Sequence, residues 1–433
     1  MGRVRSSIRL LLSRLPLWAL LPLILAGVGT GYLVVRWLQF EYHFRAARGA
    51  HDREAFEEAG EHLARCLQID PESGHAHFLA ARTARRSGQP DFAEEELTAC
   101  EDLDWPAAAV QLERTLLLVQ RGDFEGADKA ALERALAEDD PDRFVVLEAL
   151  AQGNMRIYCL MQALECLDQW AKARPDSPGA LIRRGWVFER LERVADAEAD
   201  YRHILEVRPD HRPAKLHLAQ LLESQSQPAE AARLFEELQA GPNRDPVVSL
   251  GLAQCYAGLG RNGEALILLD ELLERQPDDP AVLLQKGKLA LADHRLKEAR
   301  VLLERATLRA PQSYEAHYHL FLCLHRLGEA AEADFARKRS KTIEADLRQM
   351  SDQTLALLRR PRDPAIRFEI AEIFLRRGEE AEGIAWLESV VRLAPSHAKA
   401  RRLLAELYDR TGNPRQARAH RQVLAKLDRG QSP

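Results

Sequence analysis

The feature that most constrains this chain is the spacing of its prolines. Pro175 and Pro209 are 34 residues apart, as are Pro277 and Pro311, and Pro209 lies two such steps before Pro277. Pro71 and Pro395 share the same local setting. A small residue stands twelve positions before these prolines, at Ala59, Ala163, Ala197, Ala265, Ala299 and Gly383. Another stands twenty-four positions before most of them, at Ala151, Gly185, Ala253, Gly287 and Ala371. Three registers recurring together mark an internal repeat, in which each unit buries its faces against its neighbours.

One unit, Pro178–His211, shows the physics. Leu181, Gly185 and Phe188 form one stripe at helical spacing, and Ala197, Tyr201 and Ile204 form a second after a turn near Leu191–Val194. The small residues at 185 and 197 let the two helices approach, and Pro209, lacking an amide hydrogen, ends the unit. Hydrophobic residues at 46% and charged residues at 29% suit a chain with buried faces, and aromatics at 6% leave little for strands.

The chain resembles the tetratricopeptide repeat family. The units starting at Pro178, Pro246 and Pro280 match best. The second carries Leu252, Ala253, Tyr256, Gly260, Ala265, Leu269, Leu272 and Pro277, and the third Leu283, Gly287, Ala299, Leu303, Ala306 and Pro311. Weaker units start near Phe40, Gly74, Phe144, Arg212, Ser313, Pro364 and Ala398. The resemblance implies an all-α fold, a right-handed superhelix (α-solenoid) of antiparallel helix pairs. About nine repeats are expected over residues 40–350, with 106–140 degenerate. A spacer at 351–363 precedes two further repeats over 364–428, ending in a polar cap that carries Arg415, Arg418 and Arg421.

The N-terminus is of another kind. A basic tail, residues 1–16, carries Arg3, Arg5, Arg9 and Arg14 and no acid, and residues 17–38 are apolar except for Arg36. At ~1.5 Å per residue such a helix spans a ~30 Å hydrocarbon core. Trp18, Tyr32 and Trp37 lie where interfacial rings are favoured, and Arg36 can snorkel. The rival is a signal peptide cut near Ala26–Gly29, but the apolar run continues past it. The expectation is one uncleaved transmembrane helix, with the basic tail inside and the repeats outside the cytoplasm, in the inner membrane of a bacterium. Arginine exceeds lysine about five to one, which suits a GC-rich bacterial genome.

Little here points to catalysis. No phosphate loop, H-E-x-x-H or G-x-S-x-G occurs, and a net charge of −5 gives no global argument for nucleic acid. The six cysteines, none in a C-x-x-C pair, read as small apolar side chains on helices. His317, His319, Cys323 and His325 form the best metal candidate. However, His317 stands where Leu181 and Leu283 stand in their repeats, so packing is the preferred reading and neither metal nor cofactor is expected. The acidic run Glu94–Glu96 reads as a solvated face.

One longitudinal stripe carries a sharper expectation. Ile182, Leu216, Leu250, Leu284 and Tyr318 follow at 34-residue steps, with Phe368 equivalent after the spacer. One turn further lie Trp186, Gln220, Gln254, Lys288, Leu322 and Glu372. By the resemblance this position faces the concave side, where apolar anchors flanked by amides suit a peptide or helix. The alternative is plain packing between repeats, which would bury all six anchors. Only four Asn occur (Asn154, Asn243, Asn262, Asn413), so the Lys–Asn clamp with which some relatives hold carboxylates is absent as a motif. The expected function is a membrane-anchored, non-catalytic scaffold binding protein or peptide clients, as adaptor or assembly factor of a bacterial envelope complex. A regulatory subunit of an enzyme complex and a self-associating structural protein are the alternatives.

Overall fold

The computed structural model describes residues 17–137, 140, 142–240 and 244–430, with residues 17–30 described in their backbone alone. The basic tail, residues 1–16, lies outside the described residues. All 22 helices are α-helices, and no strand occurs among the described residues. Two compact units divide at Gly153 and Asn154. The first contains α1 (Leu17–Asp52), α2 (Phe56–Ile69), α3 (Gly74–Arg86), α4 (Pro90–Asp102), α5 (Ala107–Gln120), the short α6 (Lys129–Ala135) and α7 (Arg143–Arg156), whose last residues cross the division. The second begins with α8 (Leu160–Ala173), α9 (Pro178–Arg190), α10 (Val194–Val207), α11 (Arg212–Ser224), α12 (Pro228–Gln239), α13 (Pro246–Gly258) and α14 (Asn262–Arg275). It continues through α15 (Pro280–Ala292), α16 (Leu296–Arg309), α17 (Tyr314–Leu327), α18 (Ala330–Arg359), α19 (Pro364–Arg376), α20 (Glu380–Leu393), α21 (Ala398–Arg410) and α22 (Pro414–Asp428). Odd-numbered helices are thus the first members of the repeats and even-numbered ones the second.

The sequence explains where helices start and turn. Ser73, Ser177 and Ser313 accept from the N–H of Ala76, Ala180 and Ala316, satisfying donors that a helix start leaves open. Asp245, Asp279 and Asp363 do the same before Pro246, Pro280 and Pro364, each at a first helical position. Within each repeat the chain reverses through a left-handed residue, and these keep the 34-residue interval: Tyr158, Glu192, Ser226, Gly260, His294 and Gly328, with φ from 58° to 81°. A Cβ on Gly185 would lie 2.5 Å from the Tyr201 ring, and one on Gly287 2.8 Å from Leu303. The small residue therefore makes room for a large side chain of the partner helix.

A second periodic device escaped sequence analysis. The fourth residue of several first helices reaches back six positions to the carbonyl of the proline that ended the previous repeat. His77 donates to Pro71, His317 to Pro311, Arg367 to Pro361 and Arg401 to Pro395, at 2.9, 3.2, 3.0 and 2.6 Å.

Four details differ from expectation. Glu96, in the acidic run expected to be solvated, is buried and pairs with His77 at 2.6 Å. Ser351–Arg359, expected to be spacer, is the end of α18, because no Gly or Pro between Ala330 and Arg360 interrupts it; only Arg360–Asp363 links it to α19. Cys159 lies in a turn, as the N-cap of α8, and Cys166 is half-buried; the other four cysteines are buried on helices. The anchor segment and the first helix of the first repeat are one helix, α1, whose last turns bury Ala47, Ala50 and His51. No helix is long and apolar enough to cross a membrane among the described residues. Most of the expected span, residues 17–38, falls on side chains outside them. Residues 31–38 are described, and Tyr32, Leu33, Val34, Val35, Trp37 and Leu38 are all exposed. Arg36 does not extend freely, since its guanidinium donates to the Ile69 carbonyl at the end of α2.

Candidate functional site

In the second unit the first helices touch one another along the array, α11 with α13, α13 with α15 and α15 with α17, so they build one shared face. None of the six stripe anchors is buried. Ile182, Leu216, Leu250, Leu284 and Phe368 are half-buried and Tyr318 is 38% exposed. Gln220 and Glu372 are exposed, while Trp186, Gln254, Lys288 and Leu322 are half-buried. Tyr318 stacks on Tyr314 at 5.8 Å, Phe368 lies 4.9 Å from His397, and Arg190 covers Trp186 at 3.4 Å.

The polar groups on this face are partly withdrawn from water. Burial pushes the Glu223 carboxyl up, against the opposing pull of Lys288, whose Nζ is 3.9 Å from Glu315. His319 Nδ1 is buried with no hydrogen-bond partner, and burial lowers its pKa, keeping the ring neutral. An apolar stripe flanked by one exposed and one half-buried amide, with an unsatisfied imidazole nitrogen, can contact apolar side chains and offers hydrogen bonds to a bound backbone.

The His/Cys group disperses. His317 donates to Pro311, the Cys323 thiol donates to the Leu296 carbonyl at 3.3 Å, and His325 lies 6.0 Å edge-on to Phe321. No group of three or more His, Cys, Asp or Glu that could hold a metal comes together among the described residues. Burial pushes the thiols of Cys66, Cys100 and Cys166 up to about 11 and that of Cys255 up to about 12, so they are not thiolates at neutral pH.

The corresponding face of the first unit is built differently, by a charge network that sequence analysis missed. The buried Glu113 on α5 accepts from Arg82 Nε at 2.6 Å and from Arg85 Nε at 2.7 Å. Arg82 also reaches Asp142 at 2.6 Å, and Arg86 reaches Glu148 on α7 at 2.7 Å. His51 on α1 pairs with Thr83 at 2.9 Å. Burial first, then Arg86 and Arg82, lowers the His51 pKa to about 4. First helices that meet through paired charges present no stripe of apolar anchors. The only signal in the sequence was the run Arg82, Arg85, Arg86 on one helix, which reads equally well as solvated surface.

Comparison with known proteins adds the family. Two models described as tetratricopeptide repeat match, one over residues 222–289 and the other over 160–212, 190–245, 284–338 and 354–398. Together they cover just over half of the chain. No curated protein matches it in sequence. Solved structures with similar folds include PilW, a widely conserved type IV pilus biogenesis factor, 20% identical over 46% of this chain and 92% of that one, with a TM-score of 0.42. Human IFIT1 with m7Gppp-AAAA is 17% identical over 82% and 90%, at 0.39. YrrB, with an unusual peptide-binding site, is 17% identical over 42% and 95%, at 0.33.

Proposed function

The chain belongs to the tetratricopeptide repeat family, and we propose that it is a scaffold that holds protein or peptide partners along the first-helix face of its second unit and performs no catalysis itself. The observation that carries this reading is the accessibility of the stripe: Ile182, Leu216, Leu250, Leu284, Tyr318 and Phe368 recur in register, and none is buried. A core position repeated six times would be sealed by the next repeat. These instead leave apolar surface beside Gln220 and Gln254, suited to an extended segment whose side chains need pockets and whose backbone needs partners.

The same proposal places the chain on a membrane through residues 17–38, as an adaptor or assembly factor of a bacterial envelope complex with its repeats outside the cytoplasm. The exposed apolar run from Tyr32 to Leu38 supports an anchor, because an apolar surface of that kind needs a cover. Continuity of α1 into the first repeat would then leave no flexible linker between the bilayer and the array.

The test of the scaffold is co-purification with the full chain, comparing wild type with a Leu250→Asp/Leu284→Asp variant of unchanged helical content. Loss of specific partners supports the face, whereas an unchanged partner set refutes it. Membrane fractions washed with alkaline carbonate test the anchor: Leu21→Arg/Leu25→Arg should release the protein, and release of the wild type would refute anchoring.

A further inference from the structure

A pocket of about 540 Å³ opens within the second unit, where the start of that unit meets α19 and α20. Its size lies within the ~300–1,000 Å³ of small-molecule sites. The turn Ile157–Cys159 approaches α19 here, more than two hundred residues on in the chain: Arg367 donates to the Ile157 carbonyl, and Tyr158 packs 5.9 Å from Trp386. The walls are of two kinds. Three half-buried aromatic rings, Tyr158, Trp186 and Trp386, supply flat apolar surface, and four guanidinium groups, Arg156, Arg190, Arg367 and Arg392, supply positive charge.

The charge is not compensated by the protein. Glu388 is the only acid in the lining, and its carboxylate accepts from the Tyr408 hydroxyl. None of the four arginines forms an ion pair with a carboxylate among the described residues. Arg367 is 1% exposed, and its guanidinium is held by the carbonyls of Ile157 and Pro361, the Ser389 hydroxyl at 3.4 Å and the Cys159 sulfur at 3.9 Å, with no anion. A guanidinium removed from water normally sits against a carboxylate, as Arg85 does against Glu113 in this same chain. Burial lowers the pKa of Arg367 and, less deeply set, of Arg190, the direction expected of a guanidinium that no paired carboxylate offsets. The Arg190 and Arg367 guanidiniums also lie over indole rings, at 3.4 Å from the Trp186 centroid and 5.6 Å from that of Trp386. Aromatic surface and unpaired guanidinium are thus interleaved, the combination that receives a planar ring and an anionic group of one molecule.

We propose that this pocket binds a free nucleoside phosphate, its base against the Trp186, Tyr158 and Trp386 rings and its phosphate on Arg190, Arg367 and Arg392. A monomer is favoured over a nucleic-acid chain because the net charge of −5 provides no field for a polyanion. The site shares only Trp186 with the face of the peptide-binding reading; its charged walls, Tyr158 and Trp386 come from residues outside that face.

The test is titration calorimetry on the full chain with adenosine and guanosine mono- and triphosphates, with adenosine, inorganic tripolyphosphate and a 5′-phosphorylated oligonucleotide as separate arms. Saturable 1:1 binding of at least one nucleotide is expected, weakened at least tenfold by Arg392→Glu and by Trp186→Ala. Arg392 is exposed, so its replacement leaves the packed Arg367 in place, and circular dichroism verifies the fold. Adenosine alone and tripolyphosphate alone should each bind at least tenfold more weakly than the nucleotide. Absence of saturable nucleotide binding overturns the proposal, as does binding unaffected by both variants. Tripolyphosphate binding equal to that of the nucleotide would reduce the site to a general anion site, and tighter binding of the oligonucleotide would make it a nucleic-acid site; either result also overturns it. The Leu250→Asp/Leu284→Asp variant should keep nucleotide binding, so failure of one reading does not carry the other with it.

Discussion

Replacing Glu113 by leucine should destabilise the first unit severely. Glu113 and Arg85 are each about 1% exposed, and their contact is 2.7 Å. Arg85 Nη1 and Nη2 have no hydrogen-bond partner, so Glu113 is its compensating group among the described residues. Removing one partner of a buried pair strands the other, at a cost of ~3–5 kcal/mol. Arg82 suffers less, because it keeps Asp142 at 2.6 Å. Replacing both members, as Arg85→Met/Glu113→Leu, removes the stranded charge, and stability should return to within ~1 kcal/mol of wild type. The double-mutant cycle should then give a coupling of at least ~2 kcal/mol, the smallest single-variant loss less what the double variant still lacks. Stacked repeats need not unfold in one step, so urea denaturation should be paired with hydrogen exchange of α3 and α5 amides. A single-variant loss below ~1 kcal/mol, or a double variant no better than the single, would refute the reasoning, since Arg85 would then be served by water. Burial pushes the Glu113 carboxyl up, but Arg85 and Arg82 outweigh it and hold the group below its ordinary value of 4.5. Its contribution is therefore complete above that value and is lost only as pH falls through the lower folded-state value.

His51 acts in an earlier window. Its folded pKa of about 4 lies below the ordinary 6.5, so the unfolded chain takes up the proton first and stability declines as pH falls from 6.5 towards 4. The ceiling of that decline is ~3 kcal/mol at about 1.4 kcal/mol per unit, and His51→Gln should flatten the curve of urea midpoint against pH in this window. Glu192 sits at φ 58°, where a side chain is strained; Glu192→Gly should raise stability by a few tenths to ~1 kcal/mol, and a fall in melting temperature would contradict this. Gly185→Ala, facing the Tyr201 ring at 2.5 Å, should cost ~1–3 kcal/mol, and Tyr201→Phe in the same background should not restore it because the ring remains.

What the sequence determined by itself was periodic. The 34-residue interval specified helix pairs, and small residues such as Gly185 marked where the two helices approach, because local propensity, capping and nearest-neighbour packing recur with the repeat; that Tyr201 and Leu303 fill the space was decided by the structure. The stripe from Ile182 to Phe368 was legible for the same reason, since residues at one register occupy one face. The aperiodic features were not legible. The helical course of Ser351–Arg359 followed from the absence of any breaker, yet the lack of a repeat signature there had suggested a spacer. Whether Arg82, Arg85 and Arg86 meet water or Glu113 and Glu148 depends on which first helices touch. Arg367 reads as one more surface arginine until α19 closes on the Ile157 turn and excludes water from it. Sequence separation carries no information about the Arg367–Ile157 contact, 210 residues apart, because it depends on how each intervening repeat is set against the next. Only the tertiary structure sums those settings and decides which distant residues share a pocket.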